Sequence, residues 1–156
     1  MSVESVPAGY TSLTPVLCVG NGANAIDFYV TAFGGRLVER MDTRSGAVAH
    51  AELDFGHGRL QLCDALPDHG LTPPEGDGPV AHSTVLYCDD IDGVVARAVA
   101  LGATIREPVS DFVTGDRYAS IIDPFGHRWA VLTRVEDVSP SEADRRLAEW
   151  SAAEFD

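Results

Sequence analysis

The chain has 156 residues, is 45% hydrophobic and carries a formal net charge of −13 at pH 7. Its length and apolar content suffice for one core or two small fused modules and exclude a disordered polymer. The acidity repels a phosphate backbone, and Arg145-Arg146 is too short a basic stripe to offset it, so nucleic acid is excluded as a partner while a cationic ligand is attracted.

Met1 to Gly9 contains neither a basic region nor a long apolar run, and no later stretch approaches bilayer length. A soluble, cytoplasmic protein without a membrane partner is expected. Ser12 to Val19 reads as a strand and Ala23 to Phe33 as a helix with Ile26, Tyr29, Val30 and Phe33 as its apolar stripe. Gly34-Gly35 stops that helix, because glycine tolerates positive φ. Arg36 to Asp42, Ala47 to Phe55 and Arg59 to Cys63 then read as three strands.

Asp64 to Pro79 holds four prolines and three glycines and predicts an irregular linker. Beyond it the plan repeats. Ser83 to Cys88 is a strand, Ile91 to Leu101 a helix capped by Asp90, and Val94, Val95, Ala98 and Leu101 form its stripe before the stop at Gly102. Thr104 to Glu107, Arg117 to Asp123 and Arg128 to Thr133 are strands. Phe55-Gly56-His57 in one hairpin is echoed by Phe125-Gly126-His127 in the other, so a βαβββ unit is used twice. Each half has one helix for one sheet, and the two are expected to pack as a single domain.

Ser139-Pro140-Ser141-Glu142 is a capping box with proline at the first helical position, and Ala143, Leu147 and Trp150 recur at helical spacing. A C-terminal helix follows, docked on its own domain or on a partner. Cys18, Cys63 and Cys88 are odd in number, widely spaced and embedded in apolar runs, which fits reduced core thiols better than disulfides or zinc ligands.

Alternation along Val48 to Phe55 places Ala49, Ala51, Leu53 and Phe55 on one face and His50, Glu52 and Asp54 on the other. On a half-exposed sheet His50 and Glu52 are a solvated pair; on a curled sheet they line a cavity, where the carboxylate tunes the histidine or accepts a cationic ligand group. His57 and His127 lie at turns, and Trp129 and Trp150 are packing residues. Gly34-Gly35 follows a helix, whereas a phosphate cradle precedes one, and no Gly-x-Ser-x-Gly or His-Glu-x-x-His motif occurs.

Ala25-Ile26-Asp27-Phe28-Tyr29, Phe33-Gly34-Gly35, Asp89-Asp90-Ile91-Asp92, Gly115-Asp116-Arg117 and Asp123-Pro124-Phe125-Gly126-His127-Arg128-Trp129 together resemble the vicinal oxygen chelate superfamily. That superfamily contains glyoxalase I, the bleomycin-resistance proteins and the extradiol dioxygenases, and the likeness is closest to its PhnB-like branch. It spans residues 7–138 as one domain, with module one at about 11–66, module two at about 79–134 and a helical tail at 139–156. The resemblance implies an α+β fold in which two βαβββ modules form a curled mixed-sheet cup, completed in a homodimer.

Metal-using members draw four ligands from the first and last strands of the two modules. Carried over by position, these fall on Thr14, Gln61, Ser83 and Ala130. None supplies a carboxylate or imidazole, so no metal and no cofactor are expected. Counting from the internal repeat instead would bring His82 inward in place of Ser83.

The resemblance and the polar positions converge on a small-molecule binding protein, with a cationic antibiotic or related organic ligand in the cup. Thr14, His50, Glu52, Gln61, Ser83 and Tyr118 are the lining candidates: hydroxyls and amide orient the ligand, Glu52 meets a positive group and Tyr118 offers a stacking face. Two alternatives stay open. One is a glyoxalase-type lyase or isomerase, metal-dependent or using His50 with Glu52 as acid and base. The other is a protein whose tail helix and acidic face bind another protein, with the cup filled by side chains.

Overall fold

A computed structural model describes residues 3–76 and 78–155. Met1, Ser2, Asp77 and Asp156 lie outside the described residues, so the ends of the predicted N-terminal and tail segments and one linker position fall there. The chain divides into two compact units, Met1–Val80 and Ala81–Asp156.

The first unit runs β1 (Val16–Cys18), α1 (Gly22–Phe33), β2 (Arg36–Asp42), β3 (Val48–Asp54) and β4 (Arg59–Cys63). Its sheet has the order β1-β4-β3-β2, with β1 parallel to β4 and the other pairs antiparallel. The second repeats this with β5 (Ser83–Tyr87), α2 (Ile91–Ala100), β6 (Thr104–Asp111), β7 (Asp116–Ile122) and β8 (Arg128–Arg134), in the order β5-β8-β7-β6. The α+β class and the doubled βαβββ plan are therefore observed, each module forming its own mixed four-stranded sheet. The C-terminal helix is α3 (Pro140–Phe155).

Local chemistry explains the element ends. Asn21 accepts from Asn24 N at 3.1 Å to start α1, and Gly34 ends it at φ 77°, a left-handed conformation that glycine adopts without a Cβ clash. Asp90 caps α2 through Gly93 N at 3.0 Å. Ser139 Oγ accepts from Glu142 N at 3.3 Å at the head of α3, where Pro140 takes the first helical position. The linker contains only a 3₁₀ turn at Pro67–His69 and an isolated Leu66–Leu71 bridge.

In the first unit, one face of the sheet buries Leu17, Ala51, Leu53, Leu60 and Leu62 against Ile26, Tyr29 and Phe33 of α1. In the second, Leu86, Ala119, Ile121, Trp129 and Val131 form the equivalent layer with Ile91, Val94, Val95 and Ala98. Two stripe residues depart from expectation: Val30 is 39% exposed, rotated past the edge of the helical face that meets the sheet, and Leu101 is 45% exposed, because α2 ends at Ala100 and leaves it as the C-cap. β1 is also shorter than the predicted Ser12–Val19; Pro15 has no N–H, and its carbonyl accepts from Gln61 N at 2.9 Å before the regular ladder begins. Among the described residues, no helix is long and apolar enough to cross a membrane.

Candidate functional site

Strand alternation leaves each sheet a second face, away from its helix, and the candidate residues fall there. In the first sheet Glu52 pairs with Gln61 across β3–β4, Asp54 with Arg59, and Val16 of β1 with Gln61. A register shift between Leu37 and Glu39 on β2 places Glu39 opposite Glu52 and Met41 opposite His50.

Glu52 does not meet bulk water: it is 2% exposed. Its Oε1 and Oε2 accept from Tyr10 Oη at 2.6 and 2.7 Å, Oε2 accepts from Gln61 Nε2 at 3.0 Å, and Arg59 Nη1 forms an ion pair with Oε1. The Arg59 guanidinium also lies over the Tyr10 ring, 4.1 Å from its centroid. Burial pushes the Glu52 carboxyl upward, but the donors Tyr10, Gln61 and Arg59 outweigh it and hold the group below the ordinary 4.5. The phenol of Tyr10 is raised in turn, chiefly by its bond to that carboxylate.

This geometry corrects the role expected of Glu52. The positive group it meets is the chain's own Arg59, and both carboxylate oxygens are occupied. Nor is Glu52 half of a solvated pair with His50. His50 is half-buried two residues along the same face, opposite Met41, which is 57% exposed.

The second sheet carries a related group on its face away from α2. Tyr118 Oη donates to Glu107 Oε2 at 2.6 Å, and Arg128 Nη2 reaches the same oxygen at 3.0 Å. Burial and the Glu107 bond raise the Tyr118 phenol. Arg59 opens β4 as Arg128 opens β8, so each module places an arginine, a carboxylate and a tyrosine together, although Tyr10 comes from outside the repeat. Val85 and Tyr87 project from this face 58% and 60% exposed, giving it an apolar as well as a polar component.

The ladders also fix which residues are equivalent. Val16 opposes Gln61, the third residue of β4, and Val85 opposes Ala130, the third residue of β8. Thr14 and Ser83 lie two residues before these valines, so Thr14 corresponds to Ser83 and the His82 register is corrected. His82 belongs to the opposite parity, and its ring centroid lies 5.9 Å from that of the buried His127. Thr14 is half-buried, Ser83 exposed and Ala130 9% exposed.

These four positions do not fit a divalent ion. Two hydroxyls, an amide and a methyl offer no carboxylate or imidazole, and the Gln61 amide donates to Glu52. Among the described residues, no three histidine, cysteine, aspartate or glutamate side chains converge as a metal site.

Sequence reasoning did not identify Tyr10, Arg59, Glu107 or Arg128. Arg59 was within reach, since it lies two residues before Gln61 on the same face and diagonal to Glu52. Tyr10 carried no such signal, because it belongs to an arm without periodicity.

A family model described as Glyoxalase/Bleomycin resistance protein/Dioxygenase superfamily matches residues 11–131. The uncharacterized protein Rv0887c of Mycobacterium tuberculosis (strain ATCC 25618 / H37Rv) is 36% identical over 154 residues, covering 95% of this chain and 86% of its own. The crystal structure of TioX from Micromonospora sp. ML1 is 25% identical, with a TM-score of 0.61 over 80% of this chain and 99% of its own. A PhnB protein from Bacillus cereus shares the fold at 18% identity and a TM-score of 0.60, over 79% of this chain and 99% of its own.

Proposed function

Because the chain belongs to the glyoxalase/bleomycin resistance protein/dioxygenase superfamily, we propose that it is a metal-independent small-molecule binding protein that acts as a homodimer. Its ligand is an organic molecule held on a strand face turned away from the helix. The observation that carries this reading is the identity of the four would-be chelating positions, Thr14, Gln61, Ser83 and Ala130, together with the commitment of the Gln61 amide to Glu52. In the first unit the Gln61 amide lies opposite exposed Val16, and in the second Ser83 shares a strand with exposed Val85 and Tyr87, so each face by itself suits a ligand with mixed apolar and polar surface.

The net charge of −13 draws cationic ligands, a basic antibiotic among them, through the long-range field of the whole protein. Glu52 is not the group that pairs with such a cation, since Arg59 already neutralises it. The same occupancy weakens the alternative of an acid–base lyase or isomerase built on His50 and Glu52. A general base requires a lone pair within reach of substrate, and the Glu52 oxygens are both taken.

Thermal-shift titration with metal-free bleomycin as the cationic probe, with and without EDTA, tests the proposal. A methylglyoxal–glutathione turnover assay with zinc, nickel or manganese runs in parallel. Stabilisation that is saturable and indifferent to EDTA, with no turnover, is the expected result. Stabilisation abolished by EDTA, or turnover that appears on adding metal, contradicts it.

A further inference from the structure

The segment ahead of β1 has no regular structure, and residues 3–9 and 11–13 are exposed. Tyr10 is half-buried, and what it touches is a group of β3 and β4 side chains rather than a hydrophobic core. Its hydroxyl donates to both oxygens of Glu52, at 2.6 and 2.7 Å, while Arg59 covers its ring at 4.1 Å from the centroid. Gly9 lets the arm reach this place: its φ is 83°, and a Cβ there would lie 2.8 Å from Arg59 Nη2.

Three features of the cradle select for a phenol. The Glu52 carboxylate accepts an O–H, Gln61 Nε2 fixes its second oxygen at 3.0 Å, and the Arg59 cation favours the electron-rich face of a neutral ring. A cationic ring would meet repulsion from Arg59, and a ring without an O–H would leave Glu52 short of a donor at a buried site.

We propose that the Glu52–Arg59–Gln61 cradle is a binding site for a phenolic ring, that Tyr10 is its internal occupant, and that a ligand bearing a phenol enters by displacing Tyr10. This inference rests on the preceding reading in placing an organic ligand on the open strand face, and it specifies part of that ligand's chemistry. The arm acts as an intramolecular competitor, so apparent affinity is reduced to the fraction of molecules in which the cradle is vacated.

The test is p-cresol binding to full-length wild type, Tyr10→Phe and Tyr10→Ala, followed by calorimetry and thermal shift in the presence of EDTA, with 4-methylanisole as the ring lacking a donor. Tyr10→Phe binds p-cresol about tenfold or more tightly than wild type, because the phenylalanine ring no longer donates to Glu52. Tyr10→Ala binds at least as tightly as Tyr10→Phe and is stabilised saturably, and 4-methylanisole is weaker throughout. Tyr10→Phe preserves the ring, so the comparison stands if Tyr10→Ala does not fold. Equal p-cresol affinity in wild type and Tyr10→Phe, equal binding of p-cresol and 4-methylanisole, or no binding to either variant overturns the proposal. Since the probe is p-cresol alone and EDTA is present, these failures are distinct from the finding of a bound metal, which would overturn metal independence and leave the cradle standing.

Discussion

Glu39 and Glu52 are cross-strand partners on the β2–β3 ladder, two carboxylates directly opposite one another on the open face of the first sheet. Such a pair is repulsive, and the more buried member can remain ionised only with compensation close by. Arg59 supplies it, with its side chain 14% exposed against 2% for Glu52. Arg36–Asp54, by contrast, is an ion pair whose arginine is 70% exposed. Arg59→Met is therefore expected to lower Tm by on the order of 5–10 °C, and Arg36→Met by only about 1 °C. Adding Glu52→Gln to Arg59→Met restores part of the loss, because the uncompensated buried charge is removed. Melting curves of the three variants check this ranking.

Stability at acid pH follows from the same carboxylate. Its folded pKa is held below the ordinary 4.5, since the bonds from Tyr10, Gln61 and Arg59 outweigh the effect of burial. The resulting stabilisation is present above the unfolded value and lost as pH falls through the folded one. Wild type is expected to exceed Glu52→Gln in Tm at pH 7, with the difference shrinking steadily between pH 5 and pH 3. Paired thermal scans across that range measure it; a constant difference would show that Glu52 ionisation does not contribute.

Gly22 is constrained by packing rather than by backbone angle. A Cβ there would lie 2.6 Å from Val48 Cβ, and Gly22 N already donates to Asp64 Oδ1 at 2.8 Å while Asp64 Oδ2 accepts from Val48 N at 2.7 Å. One carboxylate thus ties the start of α1 to the start of β3. Gly22→Ala should destabilise by about 1–3 kcal/mol despite the better helix propensity of alanine, as the overpacking of a filled interior does. Denaturant unfolding gives the value directly.

The tail helix docks within its own unit. Trp150 meets Phe112 edge to face at 5.2 Å, and Arg146 bonds Val113 O at 3.3 Å and forms an ion pair with Glu136 at 2.9 Å. Glu142, held by Arg145 and Arg146, is lowered to about 2. Deleting residues 139–156 should leave the oligomeric state of the full chain unchanged by light scattering. A carboxylate chemical-shift titration of the intact protein should show Glu142 with a midpoint of about 2, well below the ordinary 4.5 of a glutamate.

Much of this architecture was legible because it rests on local rules. The bounds of β2 and β4 follow from alternation between turn residues, and Asp90 and Ser139 mark helix starts by a chemistry that single residues carry. Strand β6 extends to Asp111, past the predicted Glu107, because an edge strand needs partners on one side only and tolerates Pro108. The candidate site was less legible. Alternation put Glu52 on one face with His50 and Asp54, and the family resemblance pointed to Gln61, but whether Glu52 is free depends on Tyr10, 42 residues away in an arm without a repeating pattern. The choice between His82 and Ser83 likewise needed the ladder, since one residue of register reverses every side chain of a strand.

Metal content distinguishes a metal-independent protein from a metalloprotein. The full chain, purified without chelator and then equilibrated with zinc, nickel, iron or manganese and desalted, should retain each metal far below one ion per chain by mass spectrometry. Retention of one ion per chain, abolished by Thr14→Ala or Gln61→Ala, would contradict metal independence.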